Sequence, residues 1–228
     1  MKKRNSLIAE FLGTFALVFF GCLAIIVNDS FGSNLGHIGI SIVFGLVVMA
    51  MIYSVGNISG AHLNPAVTIG FIFAKRIRLK PALGYIAVQT AGALAAAVVL
   101  RLMFPVHPTL GATLPSVSNG AAFVFEFLFS FLLMFVILNI STGHLEKGIM
   151  AGVAVGGVIT IEALVGGPLT GASMNPARSL GPALLSGQFS SLGIYLLAPV
   201  AGTIAASPLC KLIQGDQCCT TSGENCNE

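Results

Sequence analysis

Charge is scarce in this sequence. Only 8% of its 228 residues are Asp, Glu, Lys or Arg, against roughly 25% in an average soluble domain. Hydrophobic residues make up 55%, and the mean hydropathy is +0.93. A water-soluble globule is excluded, because no core of this size could hide so much apolar surface. The apolar stretches also lack an Asp pair, a His/Glu metal cluster and a Ser/His constellation. No catalytic residue, metal site or cofactor is therefore expected, and an intramembrane enzyme is remote. The net charge of +3 is not gathered on one basic face, which leaves no case for a nucleic-acid partner. Cysteine is sparse and odd in number: Cys22, Cys210, Cys218, Cys219 and Cys226. An odd set clustered near a polar tail argues against a disulfide framework. Cys218, Cys219 and Cys226 could bind a soft metal, but reduced thiols are the simpler reading.

What is present is long apolar runs. A spanning helix needs roughly 20 mostly apolar residues, and six stretches qualify, at about 7–27, 37–56, 82–104, 121–140, 147–166 and 190–213. Two more, about 64–74 and 175–186, are too short to cross a bilayer. The fold class is all-α membrane protein, with the lipid bilayer as solvent. Lys2, Lys3, Arg4, Lys75, Arg76, Arg78, Lys80, Lys147 and Lys211 all fall on one side if the N-terminus is cytoplasmic. Loops 28–36 and 105–120 contain no Lys or Arg. By the positive-inside rule both termini are cytoplasmic. Arg101 can snorkel from a helix end; Arg178 needs another explanation. The opening Lys-Lys-Arg and Phe20-Gly21-Cys22 imitate a signal peptide, yet Glu10 interrupts the apolar run, so the segment reads as a retained span. Residues 214–228 read as a disordered cytoplasmic tail.

The chain is written twice. "SGAHLNPAV" (Ser59–Val67) returns as "TGASMNPAR" (Thr170–Arg178), and "EFLGTF" (Glu10–Phe15) as "EFLFSF" (Glu126–Phe131). One channel-like domain over 1–213 then holds repeat one at about 5–104 and repeat two at about 121–213. Three spans per repeat is an odd number, so the second repeat enters the membrane upside down. Each Asn-Pro begins a half-helix: Asn is a favoured N-cap and Pro a favoured first residue. Asn64-Pro65-Ala66 and Asn175-Pro176-Ala177 would meet mid-membrane from opposite sides. Each cap Asn spends its oxygen on the helix and keeps its NH₂ for a guest. Two positive helix ends at one place repel cations and admit neutral solutes. Asn-Pro alone could be a simple cap, but two copies at matched positions make a pore the better reading.

With these motifs the sequence closely resembles the aquaporin, or major intrinsic protein, family over about residues 5–213. The resemblance implies six tilted helices, two re-entrant half-helices, one pore per protomer and a homotetramer. It makes Asn64 and Asn175 the central donors to water and Arg178 the selectivity-filter arginine. Matched by spacing from each Asn, the other filter positions are Phe44, Ala163 and Ala172. Water-selective members typically carry histidine at the position of Ala163, so a wider, more apolar constriction is implied. "LVGGPLTGASMNPARSLGP" also resembles nodulin-26-like members that pass glycerol, ammonia or neutral metalloid acids. Phe44, Ser179 and Ala183 instead match the water-channel pattern. The expectation is a channel for water and some small neutral solutes. The alternatives are a strictly water-selective channel and a proton-coupled transporter using Glu10 and Glu126. The resemblance favours Glu10 and Glu126 as supports that accept loop N–H groups. His62 is expected to line the inner vestibule, with pH sensing as the lesser reading. Glu162 is expected to tuck away from the filter and bond to the outer loop. Gly152 and Gly156, with Gly13, Gly21, Gly84 and Gly92, read as helix contacts.

Overall fold

The computed structural model describes residues 2–141 and 149–215. Lys147, Cys218, Cys219, Cys226 and the tail beyond Gly215 lie outside the described residues. Within them, regular structure is helical: α1 (Lys2–Ser30), α2 (Gly36–Ser59), α3 (Pro65–Phe73), α4 (Leu79–Met103), α5 (Asn119–Ile140), α6 (Ala151–Thr170), α7 (Pro176–Ser186) and α8 (Leu192–Gln214). All but α3 and α7 are long and apolar enough to cross a membrane. At about 1.5 Å per residue, α3 and α7 reach roughly 14 and 17 Å, about half of a ~30 Å hydrocarbon core.

Helix ends follow local chemistry. Asn64 Oδ1 accepts from the Ala66 N–H at 2.8 Å, and Asn175 Oδ1 from Ala177 N–H at 3.0 Å, with Pro65 and Pro176 as first helical residues. α2 stops at Gly60 and α6 at Gly171, both in the left-handed region (φ +87° and +82°) that glycine tolerates. The fifth span runs to Thr170 rather than 166 because Pro168 does not break it. Proline leaves the carbonyl one turn back without its helical donor. His37 Nε2 donates to that carbonyl, Leu164 O, at 2.7 Å, in the space left by Gly167.

Packing is reciprocal between the halves. α1 packs on α4, and α5 on α8; α3 lies on α8, while α7 lies on α4. Each half-helix thus rests on the last helix of the other half. Glycine brings backbones together at matched crossings. A Cβ on Gly92 would sit 2.5 Å from Phe11 O, and one on Gly202 would collide with Phe127 O. Gly45 and Gly156 play the same part for α2 against α6. The apolar surplus turns outward: only 22% of the spanning window of α2 is buried, so most of that face meets lipid or another molecule.

Two expectations need correction. Arg101 does not snorkel. It donates to Leu185 O, Pro105 O and His107 O, tying the end of α4 to α7 and to the following loop. Cys210, buried near the end of α8, is disulfide-bonded, against the expectation that the cysteines form no disulfide framework.

Candidate functional site: the lumen between the half-helices

Both re-entrant loops are forced into the same backbone path. Ala61 and Leu63 take φ of +47° and +50°; Ala172 and Met174 take +40° and +54°. Residues with a Cβ rarely adopt such values, and each costs of order 1–3 kcal/mol. A buried carboxylate holds each loop there. Glu10 accepts from the His62 N–H at 2.9 Å, the Leu63 N–H at 2.7 Å and Gln89 Nε2 at 2.8 Å. Glu126 accepts from the Ser173 N–H at 2.9 Å, the Met174 N–H at 2.8 Å and the Thr170 hydroxyl at 2.7 Å. Two tyrosines brace the loop entrances: Tyr85 donates to Ser59 O at 2.8 Å and Tyr195 to Thr170 O at 2.6 Å.

The strained loops bring the two caps together. Asn64 Nδ2 donates to Met174 O at 2.8 Å, and Asn175 Nδ2 donates to Leu63 O at 3.0 Å. The expected free NH₂ is therefore half committed. One of its two N–H bonds ties the opposite loop, and one remains. Both asparagines line a cavity of about 120 Å³, together with His62, Phe44, Ala163 and Ala172. Arg178 lines it too. Apolar side chains such as Val48, Val67, Leu133 and Ile159 form much of the wall. Polar groups of the lining are confined to the loops, the caps and the ends, a stripe that can pass hydrogen bonds along an otherwise apolar tube.

Arg178 is only 2% exposed. Its Nη1 donates to Gly111 O at 2.8 Å and lies 3.7 Å from Cys22 Sγ, while its Nε has no partner among the described residues. The guanidinium carbon stands 5.0 Å from the centre of the Phe44 ring. Phe44 and Arg178 thus face each other across part of the lumen, and Ala163 and Ala172 line the same cavity. At the other end His62 rests on Phe71, with centroids 4.4 Å apart, and its Nδ1 is 3.1 Å from the Thr68 hydroxyl.

Ser179, three helix residues past the cap pair, is buried and bonded to Thr113 and Ser173 hydroxyls at 2.8 and 2.5 Å. Glu162 departs from expectation. It is 2% exposed, away from the lumen lining, but neither carboxylate oxygen has a hydrogen-bond partner among the described residues. Sequence reasoning missed Gly111, Cys22, Tyr85 and Tyr195. The tyrosines were findable, since Tyr85 and Tyr195 recur at nearly the offset that separates the two Asn-Pro-Ala segments. Gly111 acts through its carbonyl, which no side-chain pattern advertises.

Residues 1–209 match the family model described as Major intrinsic protein. Nodulin-26 of Glycine max is 44% identical over 211 residues, covering 92% of this chain and 78% of that one. Aquaporin NIP1-4 of Oryza sativa subsp. japonica is 49% identical over 209 residues, covering 91% and 76%. Among solved structures, the aquaglyceroporin from Plasmodium falciparum superposes with a TM-score of 0.81 at 26% identity, covering 92% of this chain and 99% of that one.

Proposed function

The chain belongs to the major intrinsic protein family, and from that premise we propose the following reading of its pore. It is a passive membrane channel, not an enzyme, for water and small uncharged solutes. The observation that carries it is the pair of half-helix N-termini, each capped by an asparagine, abutting along one cavity that also contains Arg178. Each N-terminus contributes about half a positive charge. With the Arg178 guanidinium, that field opposes cations along the whole route. A neutral solute with lone pairs meets N–H donors from Asn64, Asn175 and Arg178.

Phe44, Ala163, Ala172 and Arg178 form the selectivity filter in this reading. The two alanines leave room on one side, which favours glycerol, ammonia and neutral metalloid acids beside water. The Phe44 ring against Arg178 favours the stricter water-only alternative. Glu10 and Glu126 support the loops. Each carboxylate already receives three donors, which argues against either as a coupling-ion site. His62 lines the opposite vestibule. Lys75, Arg76, Arg78 and Lys80, between α3 and the start of α4, support cytoplasmic termini in a plasma or inner membrane. The broad apolar face of α2 supports a homotetramer. The two repeats form one channel domain over 1–213, with 214–228 as a tail.

Stopped-flow permeability of the reconstituted protein tests this. Water flux above that of empty vesicles, with glycerol, ammonia and boric acid also passing, is expected. Ala163→His is expected to suppress the larger solutes first. Water flux with exclusion of all three other solutes would reduce the reading to a water channel. No flux of any solute would remove it.

A further inference from the structure

The loop between α4 and α5 supplies the carbonyl that holds Arg178, and that loop is folded around one histidine. His107 is buried. Its Nδ1 accepts from the Leu110 N–H at 3.0 Å and lies 3.4 Å from the Thr109 nitrogen. Its Nε2 faces Asp29 Oδ2, at the end of α1, at 3.7 Å. Its own carbonyl accepts from Arg101 Nη1 at 3.1 Å. Leu110 and Gly111 follow with φ of +51° and +73°. These two left-handed residues aim Gly111 O at Arg178 Nη1, 2.8 Å away. A Cβ on Gly111 would lie 3.0 Å from Cys22 Cα, so the turn is also pressed against α1.

We infer that His107 is a positioning residue for Arg178: its neutral ring holds the 107–111 turn, and protonation of the ring loosens the turn and reduces flux. The inference rests on the channel reading above. An imidazole nitrogen accepts only while it carries no proton; in the cation both nitrogens donate. Protonated Nδ1 would meet the Leu110 N–H donor to donor, and the turn would lose its inner acceptor. The charged groups around the ring are Asp29 from α1 and Arg101 from α4, with Arg178 of α7 beyond Gly111. Asp29 attracts the cation, but at Nε2, and so does not restore an acceptor at Nδ1. Arg101 is engaged by Leu185 O and Pro105 O besides His107 O, so it stays in place as the turn relaxes. Without Gly111 O, Arg178 keeps the Cys22 sulfur and the Phe44 ring. The guanidinium then shifts toward Phe44 and narrows the passage.

The test is stopped-flow water and glycerol permeability of the reconstituted full chain from about pH 8 to about pH 5. Wild type, His107→Asn and His107→Ala are compared. An asparagine Oδ1 can stand in for Nδ1 and does not titrate. Wild-type flux is expected to fall several-fold with acid. His107→Asn should keep the neutral-pH flux with a flat profile, and His107→Ala should be low throughout. A flat wild-type profile, or a fall that persists in His107→Asn, overturns the inference while leaving the channel reading intact. Absence of flux at every pH would instead overturn the channel reading, and this inference with it.

Discussion

Three residues past its cap asparagine the first half carries Val67, and the second half carries Arg178. Two residues before the cap, the first half carries His62 and the second Ser173. Around these positions the halves otherwise agree. Both have a buried glutamate on two loop N–H groups, two left-handed non-glycine residues, a tyrosine on the loop entrance and a glycine at the helix crossing. The duplicated frame makes a narrow passage. The unmatched side chains give it a direction, with a fixed cation at one end and an aromatic-packed imidazole at the other.

The largest expected effect comes from breaking what the halves share. Glu126→Ala strands two loop N–H groups, each worth about 1–3 kcal/mol when buried without a partner. Glu10→Ala strands two as well. Both variants should lose most folded protein, seen as loss of a monodisperse peak on detergent size-exclusion chromatography. One variant keeping wild-type yield would mean that the carboxylates do not bear equal roles.

Next comes erasing the difference. Arg178→Val makes the second half resemble the first. A unit charge about 5 Å from a passing ion contributes roughly 3 kcal/mol at an effective dielectric constant of 20. Cation leak through reconstituted vesicles should therefore rise by roughly a hundredfold, with faster glycerol flux. Unchanged leak would assign ion exclusion to the helix termini alone.

Smaller effects test the crossings and the braces. Gly202→Ala drives a methyl into Phe127 O and should cost about 1–3 kcal/mol by overpacking, lowering the unfolding temperature in detergent. Gly92→Ala has slightly more room and should cost less. Tyr85→Phe and Tyr195→Phe each remove the hydrogen bond to a loop-entrance carbonyl, worth on average about 0.6 kcal/mol inside the membrane. Matched losses are expected, and a large mismatch would show that the entrances are not equivalent.

Much of this was legible in the sequence. The spans were, because lipid demands long apolar runs, and the half-helices were, because Asn-Pro fixes a helix start. The two glutamates were legible because a buried carboxylate must find donors and the motif recurs. Boundaries slipped where a distant group intervened, as at Pro168, whose orphaned carbonyl is met by His37. The support of Arg178 was not legible. It comes from a backbone carbonyl 67 residues away, and every residue has one. Nor was the isolation of Glu162, since sequence shows the carboxylate but not that the described residues bring no donor to it.

The crossed asparagine bonds also bear on synthesis. Asn64 reaches Met174 O, 110 residues further along the chain, and Asn175 reaches back to Leu63 O. A ribosome that has delivered only the first three spans has made a helix start whose amide still has no seat. Its final tie forms when the inverted second loop arrives, so the midpoint of the conduit is finished late, and by both parts at once.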